Sequence, residues 1–219
     1  MNRAPLVKIC CISSVLEARL AVKYGASALG LVSHMPSGPG VIDEDLIAEI
    51  VRSVPPTIAT FLLTSAQSSE VIINQHRRCL TSTIQFCERM ESVVHKELRL
   101  ALPGVTIVQV VHVTGESSID EAVQAAEHVD AILLDSGNPD LKIKELGGTG
   151  RVHDWSISRR IRERIPVPMF LAGGLNDCNV ESAIEEVDPY GLDLCTGVRT
   201  NHVLDEAKLQ AFFGVVNAC

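Results

Sequence analysis

No run in this 219-residue chain is apolar over the roughly 18 residues a membrane span needs, so no membrane partner is expected. The opening MNRAPLVKIC lacks the apolar core and cleavage site of a secretory signal, and no export is expected. Positive charge is also scarce. Lys and Arg number 19 against 27 Asp and Glu, a net charge of −8, whereas nucleic-acid binders usually present a net basic face. An anionic small molecule stays possible, because backbone amides bind phosphate whatever the net charge.

The seven cysteines (Cys10, Cys11, Cys79, Cys87, Cys178, Cys195 and Cys219) are odd in number and contain no CxxC spacing. Several lie inside apolar runs, where a free thiol behaves as a small hydrophobe. That pattern predicts a reducing cytoplasm rather than a disulfide framework. Linkers, composition shifts and low-complexity stretches are absent too, so one domain over 1–219 is expected.

What is present is alternation. Hydrophobic residues make up 46% and charged residues 21%, enough apolar surface for a large core. Strand-like runs rich in Val, Ile and Leu fall at 6–12, 28–32, 58–63, 83–87, 106–113, 131–135, 167–173 and 191–197. Amphipathic helical patterns separate them at 14–25, 43–54, 67–79, 89–101, 117–128, 154–165, 176–187 and 204–216. In the first, Ser14 is a candidate N-cap, Glu17 completes a capping box and Gly25 is the stop. Strand–helix repetition implies right-handed crossovers and a parallel sheet. An open doubly wound sheet is the alternative, but eight regular units of about 27 residues favour a closed α/β architecture, the (β/α)₈ TIM barrel. The two long gaps, 33–40 and 136–153, are then βα loops at the end where such barrels carry their sites.

Side chains on a strand alternate between lumen and helix layer. In VKICCIS the apolar set Val7, Ile9 and Cys11 belongs against the helices, which points Lys8 and Cys10 inward. The same count directs Asp135, Asp193 and Cys195 into the lumen. A strand cysteine is more often structural than reactive, and an inward aspartate at a strand end can cap the next turn. Two inward carboxylates without an apolar purpose are nevertheless costly unless paired or used. A thiol and two carboxylates near the rim therefore read as a site.

Glycines form a second constellation: Gly147, Gly148 and Gly150 in the sixth βα loop, Gly173–Gly174 after strand seven, and Gly197 after strand eight. Glycine lets backbone amides approach an anion closely, and the loops after strands seven and eight are the usual phosphate cup of this barrel. His34, His112 and His202 lie near strand ends with no carboxylate at ligand spacing, so they read as polar rim residues rather than zinc ligands. The run Arg159–Arg162 reads as a solvated helix face.

These residues resemble the signature of the phosphoribosylanthranilate isomerase family, barrel enzymes of tryptophan biosynthesis, along nearly the whole chain. VKICCIS is similar to V-K-I-C-G-I-T and GASALGLV to G-A-D-A-L-G-F-V. LLDSG followed by GGTGRVHDWS resembles L-L-D, then G-G-T-G-K-x-F-D-W. LAGGLNDCNVESAI and PYGLDLCTGVR resemble L-A-G-G-L-x-P-x-N-V-x-x-A-I and P-x-x-V-D-V-S-S-G-V-E.

The resemblance implies an Amadori rearrangement, an aldose-to-ketose isomerisation of a phosphoribosyl amine. It needs an acid for the ring oxygen and a base for the C2 proton. By the resemblance Cys10 is the base and Asp135 the acid, with Lys8 placed to assist the thiol. The phosphorylated substrate would be held around Lys8, Gly148, Gly150, Gly173, Gly174, Asp193, Gly197 and Arg199. No metal or organic cofactor is implied, and the protein would be a cytoplasmic monomer or homodimer.

Four departures stand beside the matches. Pro39 occupies the place of the arginine in S-x-R-x-V, which holds the anthranilate carboxylate. Cys87 and Glu88 replace the His and Gly of V-Q-L-H-G, Arg199 replaces the glutamate of S-S-G-V-E, and Cys11 replaces the glycine after the base. Arg89 and Arg199 follow strands at the rim and are candidates to substitute for the lost arginine. A paralogue acting on another phosphosugar amine, or a non-catalytic phosphate-binding barrel, are the rival readings.

Overall fold

The computed structural model describes residues 4–137 and 150–219. Eight parallel strands close into a barrel in sequence order: β1 (Leu6–Ile9), β2 (Ala28–Val32), β3 (Ala59–Thr64), β4 (Thr83–Phe86), β5 (Thr106–His112), β6 (Ala131–Asp135), β7 (Met169–Leu171) and β8 (Gly191–Leu194). Closure is direct, since β1 pairs with β8 in parallel and Lys8 stands opposite Asp193. The open-sheet alternative is thereby excluded.

The helices ring the barrel: α1 (Val15–Tyr24), α2 (Glu44–Ser53), α3 (Ser69–Cys79), α4 (Ser92–Ala101), α5 (Ser117–Ala126), α6 (Trp155–Arg162), α7 (Val180–Val187) and α8 (Glu206–Val216). None is long and apolar enough to cross a membrane among the described residues. A 3₁₀ turn at Thr196–Val198 follows β8. It leads into a small antiparallel hairpin, β9 (Arg199–Thr200) and β10 (Val203–Leu204), that the apolar pattern did not announce.

Local chemistry explains the first helix. Ser14 Oγ accepts from the Glu17 amide at its start, and Gly25, with φ of 113°, ends it in the left-handed region. The expected capping box is displaced by one residue: Glu17 accepts from the Ser13 amide instead of the Ser14 amide. Its carboxylate is recruited by Arg199 and the Leu204 amide, which set its position.

Two apolar layers follow from strand alternation. Val7, Ile9, Ile132, Leu134, Leu192 and Leu194 pack against the helices, while Ala28, Phe61, Val108, Leu133 and Phe170 fill the lumen. Low in the lumen Phe61 and Phe170 meet edge to face with ring centroids 6.0 Å apart. Gly191 makes room for that packing, since a Cβ there would stand 2.4 Å from the Phe170 ring. This floor closes the barrel below and leaves chemistry to its C-terminal end.

Candidate active site

Lys8 and Cys10 point into the lumen from β1, as alternation requires. Gly30 on β2 creates their space, because a Cβ there would lie 2.8 Å from Cys10 Sγ and 3.2 Å from Lys8 Nζ. Lys8 is fully buried and pairs with Asp193 at 2.9 Å. Its Nζ also lies 5.2 Å from the centroid of the Phe61 ring. Burial is the largest influence and opposes the ammonium charge, but Asp193, foremost among the neighbours that together outweigh it, keeps Lys8 protonated. A buried positive charge is therefore fixed next to the Cys10 thiol.

Above this pair opens a concave cavity with a few polar groups among apolar walls, the form a small-molecule site takes. Cys10, Gln85, Cys87, Asp135, Asp193 and Cys195 contribute its polar walls. Val32, Met35, Leu63, Val110 and Leu133 supply apolar ones. Asp135 enters from the end of β6, and one of its oxygens accepts from the Ser136 amide at 2.7 Å. Burial pushes the Cys87 thiol far above the ordinary range, so it stays protonated.

At one rim three loops knit together around glycines. Gly150, Gly173 and Gly174 adopt φ of 68°, 87° and 65°, conformations that L side chains resist. A Cβ on Gly174 would stand 2.8 Å from the Arg151 carbonyl carbon, and one on Gly197 only 1.9 Å from Leu175 O. The backbone after β6 thus packs on that after β7, which packs on the turn after β8. Gly150, Gly173, Gly174 and Thr196 face the cavity. Gly148 lies outside the described residues.

Three expectations are corrected here. Lys8 does not line the cavity; it sits beneath it, tied to Asp193. Cys11 does not face the helices. The strand ends at Ile9, and with φ of 60° Cys11 turns back into the lumen, so period-two alternation no longer applies. Arg199 does not line the cavity either. Its guanidinium is buried, donates to Glu17 at 2.8 and 3.2 Å, and also donates to the carbonyls of Cys10, Cys11 and His202.

Arg89 opens onto a separate cleft with His95, Gln109 and His128. Among the described residues lining the cavity above Lys8 and Asp193, none is Lys, Arg or His. His34 and His202 are exposed, while His112 is buried with Nε2 3.2 Å from the Cys87 carbonyl. Arg159 and Arg160 form exposed ion pairs with Glu163 and Glu116, a solvated face as read.

Gln85 and His153 were missed. The strand count that turns Cys87 inward also turns Gln85 inward, so its signal was available. His153 backs the glycine rim: a Cβ on Gly173 would lie 3.0 Å from its Nδ1, and its Nε2 is 2.7 Å from Ser158 Oγ. Burial lowers its pKa to about 4, so it is neutral there at neutral pH. No periodicity marks a loop residue of this kind.

The Arg199–Glu17 contact carries a stability prediction. Burial alone would raise the Glu17 pKa, but hydrogen bonds from Arg199 and the Leu204 and Ser13 amides outweigh it and lower the value. A depressed carboxylate pKa stabilises the fold above the ordinary value of about 4.5, and that stability is lost as pH falls through the folded-state value. Arg199→Met should cost roughly 1.5–3 kcal/mol at pH 7, since Glu17 keeps two amide donors. The deficit should shrink in acid. Urea unfolding at pH 7 and at a pH below 4.5 would expose the error if both deficits were equal.

The chain matches the family described as N-(5'-phosphoribosyl)anthranilate (PRA) isomerase over residues 7–215. It is 36% identical over 210 residues to N-(5'-phosphoribosyl)anthranilate isomerase 2 of Methanosarcina mazei, covering 94% of this chain and 91% of that protein. It is also 36% identical over 208 residues to the N-(5'-phosphoribosyl)anthranilate isomerase of Desulforudis audaxviator, covering 94% and 95%. The crystal structure of phosphoribosyl anthranilate isomerase from Thermotoga maritima superposes with a TM-score of 0.83 at 26% identity, over 98% of this chain and all of that one. A match along almost the whole barrel, at this identity, makes the chain a member of the N-(5'-phosphoribosyl)anthranilate isomerase family.

Proposed function

We propose that this protein is an intramolecular aldose–ketose isomerase that converts phosphoribosylanthranilate to its aminoketose in tryptophan biosynthesis. It would act as a single-domain cytoplasmic monomer or homodimer. The observation that carries the reading is that Cys10, just past β1, and Asp135, at the end of β6, line one cavity rimmed by glycine turns. In this reaction Asp135 gives a proton to the furanose ring oxygen as the C1–O bond breaks and an iminium forms. Cys10, beside the Lys8 charge, then takes the C2 proton to give the enolamine, which tautomerises to the ketone. The backbone amides of the turns after β7 and β8 hold the phosphate, helped by the start of the 3₁₀ turn at Thr196. Asp193 orients Lys8 and faces the substrate from below.

Complementation of a tryptophan auxotroph lacking this isomerase, with assay of the purified protein on phosphoribosylanthranilate, tests the assignment. Growth and turnover are expected. A folded protein that gives neither would overturn it.

One observation favours a paralogue acting on a different phosphosugar amine. Pro39 lines the cavity with Met35 and Val32, and no Lys, Arg or His is among its described lining residues. A carboxylate held by a charged hydrogen bond gains roughly 1.5–3 kcal/mol. Pro39→Arg is therefore expected to raise kcat/KM for phosphoribosylanthranilate about ten- to a hundred-fold. An unchanged or lower value, in a variant that keeps its fold, would show that the anthranilate carboxylate is already met by other groups.

A further inference from the structure

Four thiols reach the cavity wall, and two of them touch. Cys11 Sγ lies 3.0 Å from Cys195 Sγ and 3.9 Å from Cys10 Sγ, and all are free. The backbone builds this contact. The Cys10 amide donates to Leu194 O at 2.7 Å, which holds the ends of β1 and β8 side by side. The left-handed turn at Cys11 then swings its side chain back toward Cys195. Gly40 makes room for this placement, since a Cβ there would stand 2.5 Å from Cys11 Cβ.

The isomerisation uses Cys10 and leaves Cys11 and Cys195 without a role. Both depart from the motifs this chain otherwise follows, which carry glycine in V-K-I-C-G-I-T and serine in S-S-G-V-E. Arg199, a third departure, donates to the Cys11 carbonyl at 2.7 Å. Three departures thus meet in one cluster at the cavity edge, where Cys195 is partly exposed.

We propose that Cys11 and Cys195 are a reversible dithiol–disulfide site, which closes the catalytic cavity beside Cys10 when the protein meets a two-electron oxidant of the hydroperoxide class. Cys195, as thiolate, attacks one peroxide oxygen; the O–O bond breaks, a sulfenic acid forms and, with a proton, one water leaves. The Cys11 sulfur then attacks that sulfenic sulfur, the S–O bond breaks and a second water leaves with the Cys11 proton. Two thiols lose two electrons and two protons, and hydrogen peroxide becomes two waters.

The division of roles follows from the surroundings. The hydrogen bond between Cys195 and Cys11, and then the charge of Arg199, hold the Cys195 thiol below its ordinary range against the opposing effect of burial. Hydrogen bonding to Cys10 and Cys195, together with burial, pushes Cys11 well above it. A bond between residues 11 and 195 would draw together the segment carrying Cys10 and the turn carrying Thr196. Base and phosphate cup would then lose their spacing.

The test uses the full chain with the exposed thiols removed by Cys178→Ser and Cys219→Ser. It is treated with hydrogen peroxide, alkylated under denaturing conditions and mapped by mass spectrometry. The expected product has lost two hydrogens and contains a Cys11–Cys195 linked peptide that dithiothreitol reverses. Turnover should fall at least about tenfold and return on reduction. Phenylarsine oxide, which bridges close dithiols, should protect the pair. Cys195→Ser and Cys11→Gly, each compared with its own reduced form, should abolish the linked peptide and the reversible loss. A link through Cys10 or Cys87, irreversible oxidation without a link, or a link with undiminished turnover would overturn the proposal. The peptide map reads the bond whether or not phosphoribosylanthranilate is the substrate, so failure of this proposal and failure of the functional assignment are distinguishable.

Discussion

Cys10→Ser is expected to lower kcat on phosphoribosylanthranilate by about 10²–10⁴-fold, the usual contribution of a positioned acid or base. A serine hydroxyl fits the space that Gly30 leaves for the sulfur, but it does not ionise at neutral pH and cannot take the C2 proton. Asp135→Asn should cause a loss of similar size, because the amide has no proton to give the ring oxygen. Both variants should fold, since neither residue belongs to the buried Lys8–Asp193 pair. Circular dichroism and urea unfolding establish the fold, and steady-state kinetics give the effect. KM should change far less than kcat, because the glycine rim proposed to hold the phosphate is untouched. Turnover within tenfold of the parent protein in Cys10→Ser would remove Cys10 from the mechanism and point to another wall thiol.

The second large effect is on stability. Asp193→Ala strands the Lys8 ammonium, which is fully buried over the Phe61 ring and 2.9 Å from its partner. Removing one member of a buried pair costs roughly 3–5 kcal/mol, because the survivor keeps its desolvation penalty and loses its compensation. For a chain of this length that corresponds to a fall in Tm of roughly 6–20 °C. Replacing both partners, Lys8→Met with Asp193→Leu, should recover much of the loss, since the pair's desolvation cost disappears with its attraction. The double variant should nevertheless stay inactive, lacking the charge beside Cys10. If Asp193→Ala unfolds within 1 kcal/mol of the parent, water or another anion must reach Lys8, and the barrel floor is less dry than its packing indicates.

Much of this protein was legible in its sequence because the information is local. Strand and helix periods differ, so the eightfold alternation was readable from apolar spacing alone, and Ser14 and Gly25 marked the ends of α1. Period-two alternation placed Lys8, Cys10, Asp135 and Asp193 in the lumen correctly, because each lies on a regular strand or directly at its end. The same rule failed one residue later. Cys11 follows the end of β1 with φ of 60°, and a side chain in left-handed backbone points where no strand count can say. Backbone conformation at a strand's exit is set by what packs around it, here Gly40 and Cys195.

The remaining decisions were long-range. Lys8 and Asp193 are 185 positions apart and became partners only when β1 closed on β8. Arg199 looked like a free cation at the rim, yet the hairpin after β8 delivers it to Glu17 on α1, 182 positions away. Residue spacing cannot report which of several charges an arginine will find, because that choice is made by the register of barrel closure. The sequence alone therefore determined the repeating architecture and the inward chemistry of each strand. Only the tertiary structure decided which inward groups face the cavity, which are consumed by one another, and that the thiols of Cys11 and Cys195 meet.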